Sequence, residues 1–238
     1  MNRIYKSFGF KSLFVLGLLG LCYLGNAHAS TVSIGDKTPS FYKAPPDIQQ
    51  MYNRILAAGA KEGDISKVHL VISNDSVVNA YMTNDAQLTL DVGILNFAIR
   101  DNNDEDMLAG TIGHELTHWL FGHTTRRAVE CSATASNARN CEREADINGV
   151  KLSADAGYDC NEMANLFVAL NNKYGEGPFD PMDDHPQNSE RIKYIHKACA
   201  IYKATGISMP VPYETVVPDP VIEKLNLTDK NNEIPELK

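Results

Sequence analysis

The chain is predicted to fold as an α+β domain, mainly helical with a small antiparallel sheet, and three observations carry that expectation. Short β-rich runs cluster before residue 93. From Ile94 onward apolar residues recur at helical spacing. Turn and cap residues, among them Thr83-Asn84-Asp85 and Gly157, punctuate the segments.

At the start, Arg3, Lys6 and Lys11 accompany a nearly unbroken apolar run from Leu13 to Leu24, and Ala27-His28-Ala29 is a small-x-small cleavage pattern. This is the layout of a secretory signal peptide over residues 1–29, cleaved before Ser30. A helix over that run spans about 18 Å, short of the roughly 30 Å hydrocarbon core, so no permanent transmembrane anchor is expected after cleavage. Taking 29 residues from 238 leaves 209, enough for one well-packed domain, and losing the three cations takes the formal net charge from −8 to −11. Nucleic acid and anionic membrane surfaces demand basic patches, so neither is expected as a partner.

Asp47 to Ala60 reads as an amphipathic helix, with Ile48, Met51, Tyr52, Ile55 and Leu56 on one side. Lys67 to Ser73, Val77 to Met82 and Gln87 to Val92 read as strands, and Asn79 and Tyr81 are candidates for a peptide-binding edge. Helices follow over 94–100, 104–123, 141–156, 161–174 and 188–204. Pro178, Pro181 and Pro186 mark an extended loop that carries His185. The prolines and polar residues of 207–238 read as an extended tail, with wrapping of the domain or occupation of a cleft as the alternative.

The helix over 104–123 holds His114-Glu115-Leu116-Thr117-His118. Residues four apart differ by about 40° around a helix, so both imidazoles project from one face, the arrangement that holds a catalytic zinc. Glu115 lies about 100° from His114, placed to reach a water on the metal rather than to ligate it. Asn103-Asp104-Glu105-Asp106 supplies an N-cap and an acidic first turn. Downstream, Cys141-Glu142-Arg143-Glu144-Ala145-Asp146 contains E-x-x-x-D, which puts a ligand and an outer-shell acceptor one turn apart. A metzincin pattern would need glycine at 121 and histidine at 124, where this chain has Phe121 and Thr124. His123, on a continuing helix, would face away from the metal as a structural residue, and His69 and His196 have no motif context.

These motifs resemble the zinc metallopeptidases related to HtpX, the periplasmic protease BepA and the CAAX prenyl proteases, of gluzincin type. The likeness extends to Val78-Asn79-Ala80-Tyr81-Met82, Leu90-Asp91-Val92-Gly93-Ile94-Leu95, His185-Pro186 and Arg191-Ile192, and covers roughly residues 45 to 200. It implies a metallopeptidase domain over 30–206 holding one zinc on His114, His118 and Glu142, with Glu115 as general base and Asp146 supporting a ligand histidine, His114. Zinc-activated water would then hydrolyse peptide bonds. His185 would stabilise an oxyanion or cap the metal, and Arg191 would anchor a carboxylate or substrate backbone. Implied partners are protein or peptide substrates, including misfolded envelope proteins, and the implied place is the bacterial periplasm. The alternatives are a narrow processing peptidase and a zinc-stabilised chaperone-like protein without proteolysis. No counterpart of the helical repeats or membrane helices of some relatives is visible.

Removal of Cys22 with the signal leaves Cys131, Cys141, Cys160 and Cys199, an even number in an oxidising compartment. A helix over 142–157 would hold Cys141 about 25 Å from Cys160, too far for a bridge. Of the remaining pairings, Cys131–Cys141 with Cys160–Cys199 is favoured: one would clip the loop between the ligand-bearing helices, the other would tie the last helix to the core. No C-x-x-C pair favours a four-cysteine zinc site.

Overall fold

The computed structural model describes residues 40–211. The signal peptide expected over 1–29 and most of the expected tail lie outside the described residues. The α+β class is as expected, with helices dominant and a small four-stranded sheet beside them. Among the described residues no helix is long and apolar enough to cross a membrane.

The strands are β1 (Phe41–Tyr42), β2 (His69–Ser73), β3 (Ala80–Met82) and β4 (Gln87–Asp91), in spatial order β1-β2-β4-β3. The sheet is mixed rather than antiparallel throughout. β1 pairs with β2, and β3 with β4, in antiparallel fashion, but β2 and β4 run parallel with Leu70 opposite Leu88 and Ile72 opposite Leu90. The expected turn after Met82 does form a β3–β4 hairpin; β4 then inserts beside β2, a neighbour relation that alternation within a strand does not encode. β3 is three residues shorter than expected at its start. The residues before it pack instead on Gly93, where a Cβ would stand 2.0 Å from the Val77 carbonyl oxygen and whose amide donates to the Asp75 carbonyl at 3.0 Å.

The helices are α1 (Pro46–Gly59), α2 (Val92–Leu95), α3 (Glu105–Leu120), α4 (Ala128–Cys131), α5 (Ala135–Asp155), α6 (Glu162–Tyr174) and α7 (Asn188–Thr205), with a π-helical turn over Asn96–Asp101. α3 is the central element, buried continuously from Met107 to His118 and packed by α1, α5, α6 and the sheet. Its glycines allow that crowding. A Cβ at Gly110 would meet Met163 Cβ of α6 at 2.6 Å, and one at Gly113 would meet the Gly149 carbonyl oxygen of α5 at 2.8 Å.

α3 begins at the expected cap, where Asp104 Oδ1 accepts from the amides of Asp106 and Met107 at 2.9 and 3.1 Å. It stops earlier than the expected residue 123. Gly122 takes φ +74°, its amide donates to the Trp119 carbonyl at 3.0 Å, and the His123 amide donates to the His118 carbonyl at 2.8 Å. That pair of bonds is a Schellman motif, which reverses the chain. α5 is longer than expected at its start because Thr134 caps it, accepting from the Asn137 amide. Both favoured disulfides are present: Cys131–Cys141 joins α4 to α5, and Cys160–Cys199 ties α7 to the start of α6.

Candidate functional site

Helix periodicity places His114 and His118 on one face of α3, and the close approach at Gly113 and Gly149 brings α5 against that face. Glu142 thereby meets both imidazoles. His114 Nε2 lies 3.3 Å from Glu142 Oε2, His118 Nε2 lies 3.4 Å from Glu142 Oε1, and the two Nε2 atoms are 3.0 Å apart. One donor atom from each of the three residues falls within 4.8 Å of the others. Two imidazole nitrogens and a carboxylate oxygen are the donors a zinc site uses.

Glu115 stands beside this set, its Oε1 3.9 Å from His114 Nε2. It is fully buried, and neither carboxylate oxygen has a hydrogen-bond partner among the described residues. Burial raises its pKa to about 7, with His114 the main opposing influence. Three carboxylates, Glu115, Glu142 and Asp146, are buried together with one guanidinium, Arg191. Two imidazoles and a carboxylate as donors, beside Glu115 oxygens with no hydrogen-bond partner among the described residues, fit a divalent cation held by His114, His118 and Glu142.

Asp146, one turn after Glu142 on α5, reaches His114. His114 Nδ1 is 2.7 Å from its Oδ1, so a proton on Nδ1 leaves Nε2 free to ligate. Burial favours the neutral acid, yet Arg191 and His114 outweigh it and hold the Asp146 pKa below the usual carboxylate range. Arg191 donates from Nε to Oδ2 at 2.8 Å and from Nη2 to Oδ1 at 2.6 Å, while the Tyr194 hydroxyl donates to Oδ2 at 2.7 Å. The two short bonds of Arg191 are thus spent on Asp146, within the protein. Arg191 is 2% exposed, lies 4.1 Å over the Phe167 ring and brings Nη2 to 4.0 Å from Glu142 Oε2.

His185 sits on the loop between α6 and α7, with Nε2 3.9 Å from Glu142 Oε2 and Nδ1 2.7 Å from Asp184 Oδ1. Burial opposes its charge, but Glu142, Asp183 and Asp184 prevail and raise its pKa to about 10. Of the edge candidates, Asn79 is committed to the hairpin, its Nδ2 donating to Asp91 Oδ2 at 3.1 Å. Tyr81 lies on β3, one of the two outer strands of the described sheet, which packs against α3.

His123 departs from its expected place, and Glu144, Arg127 and Tyr194 join the surroundings of the cluster without a motif to mark them. His123 does not face away: its Nδ1 is 3.0 Å from His118 Nδ1. The signal was Gly122, a helix-stopping residue just before it. Tyr194 follows Arg191 by three residues on α7, a spacing that shares a face.

The sequence profile of peptidase family M48 matches residues 44–138 and 128–198, and so contains every residue of this cluster. The chain belongs to peptidase family M48. It is therefore a metallopeptidase, a hydrolase that acts on peptides or proteins. None of the curated proteins compared with this M48 member matches it.

Proposed function

We propose that this M48 chain is a zinc-dependent metalloendopeptidase of the cell envelope, akin to HtpX, BepA and the CAAX prenyl proteases and acting in protein quality control. The convergence of His114, His118 and Glu142 beside the buried Glu115 carboxylate carries the reading. The two disulfides fit an oxidising compartment outside the cytoplasm, and the bacterial periplasm is the setting proposed.

His114, His118 and Glu142 would hold the ion, which when bound polarises the scissile carbonyl and lowers the pKa of water towards about 7. Glu115 is the general base: its carboxylate takes a proton from the attacking water and returns it to the leaving amine. Its burial, with neither oxygen hydrogen-bonded among the described residues, leaves the carboxylate free for that transfer. Asp146 holds His114 in the tautomer that presents Nε2. β3, as the outer strand next to α3, offers main-chain groups to an extended substrate. His185, on its loop beside Glu142, is the group proposed to donate to the carbonyl oxygen as negative charge develops there.

That same position of His185 favours a second reading, a protein whose metal is capped and which binds unfolded chains without cutting them. Casein cleavage by zinc-loaded protein, beside Glu115→Gln and a chelator-treated sample, separates the two. Cleavage by wild type alone, with zinc retained in Glu115→Gln, supports the endopeptidase. Full activity in Glu115→Gln refutes the assigned base, and zinc-loaded wild type without cleavage supports the capped protein.

A further inference from the structure

His118 presents Nε2 towards Glu142 and Nδ1 towards His123, and the 3.0 Å between the two Nδ1 atoms admits one proton. If His118 ligates through Nε2, its neutral ring carries hydrogen on Nδ1 and must donate. His123 Nδ1 is then the acceptor, which puts the hydrogen of His123 on Nε2. That nitrogen lies 2.9 Å from Glu144 Oε2, and Glu144 also accepts from Arg127 Nη1 at 2.6 Å. Arg127 Nη1 also lies 3.3 Å from His123 Nε2, a longer approach than its 2.6 Å to Glu144 Oε2, so Glu144 is the acceptor for both, and each bond then demands the tautomer that the next one supplies.

We infer that His123 is a positioning residue for the metal centre: it accepts the Nδ1 proton of His118 and passes orientation from the Glu144–Arg127 pair, which does for His118 what Asp146 and Arg191 do for His114. The inference rests on the zinc reading above. The surroundings make His123 rigid. It is fully buried, its amide is bonded to the His118 carbonyl through the Gly122 turn, and one ring nitrogen lies within 4.8 Å of both sulfurs of Cys131–Cys141. Arg127 is held in turn by Glu130, to which Nε and Nη2 donate at 3.1 and 3.0 Å. The fold thus provides two carboxylate–arginine pairs, one touching its ligand histidine directly and the other through a second imidazole.

The test is zinc affinity, measured by competition with a chromophoric chelator on the full chain as secreted, with thermal melting in chelator as the check on folding. Removal of an outer-shell partner weakens metal binding by about 10- to 100-fold, and His123→Leu is expected to fall in that range. His123→Asn, whose Oδ1 can accept from His118 Nδ1, should recover much of the loss. Glu144→Gln should lie between wild type and His123→Leu. Equal affinity in a His123→Leu protein that melts like wild type overturns this inference alone; wild type that binds no zinc overturns the zinc reading with it. Should His123→Leu not fold, nitrogen NMR of histidine-labelled, zinc-loaded wild type decides. Hydrogen on His123 Nε2 and His118 Nδ1 supports the relay, and hydrogen on His123 Nδ1 overturns it.

Discussion

Gly113 of α3 and Gly149 of α5 meet backbone to backbone, so that a Cβ on Gly149 would stand 2.8 Å from the His114 amide nitrogen. Neither partner in this contact is the end of a flexible side chain, and the helices would have to separate to admit even a methyl group. His114 directly follows Gly113, and Glu142 lies two turns before Gly149, so the contact sets the spacing across the site.

Gly149→Ala is therefore expected to destabilise the fold by about 1–3 kcal/mol, the usual range for overpacking, and to lower zinc content as Glu142 moves from the histidines. Urea unfolding and metal analysis of the purified variant check both. An unchanged midpoint with full zinc would show that the helices yield without effect.

Arg191→Met leaves the Asp146 carboxylate buried with Tyr194 and His114 but without its opposite charge. Breaking a buried pair from one side costs about 3–5 kcal/mol, measurable as a drop in unfolding free energy. Arg191→Lys should recover only part of it, because an ammonium cannot reproduce the two parallel bonds of the guanidinium.

The disulfides should separate stability from site integrity. Loop-closure entropy assigns about 3 kcal/mol to Cys131–Cys141, with its separation of 10 residues, and about 4 kcal/mol to Cys160–Cys199, with its separation of 39. Loss of Cys160–Cys199 by paired serine substitution is expected to cost more stability. Loss of Cys131–Cys141, which adjoins Glu142 and His123, should weaken zinc binding more. Melting and zinc competition on the two double variants test the crossover.

Glu162 opens α6 next to the Asp104 cap of α3, and burial together with Asp104 raises its pKa to about 7. The folded state then binds a proton that the unfolded chain, with an ordinary glutamate near 4.5, gives up earlier. The resulting stability is present below about pH 4.5 and is lost as pH rises through 7. Glu162→Gln should accordingly gain melting temperature over wild type between pH 5 and pH 8, and a difference that stays constant across that span would refute the shifted proton.

Much of this site was legible because its chemistry is written in helical spacing. His114 and His118, and Glu142 and Asp146, are each one turn apart, and the pairs sit where the motif reading expects them. The mixed sheet was less legible, since alternation marks a strand but not its neighbour. The end of α3 depends on a single glycine conformation at Gly122; a helix continued three residues would point His123 away from His118, which it in fact touches.

By itself the sequence determined which side chains share a helix face, where the longer helices and strands lie, though not β1 or α4, and where the chemistry-bearing residues fall, because those relations are set by local backbone geometry over a few residues. Only tertiary structure decided that α5 crosses α3 at the facing glycines, that Arg191 binds Asp146, and that His123 joins Glu144 to His118. These relations join residues on separate elements, and the way helices and loops pack against one another has no period along the chain from which to read it.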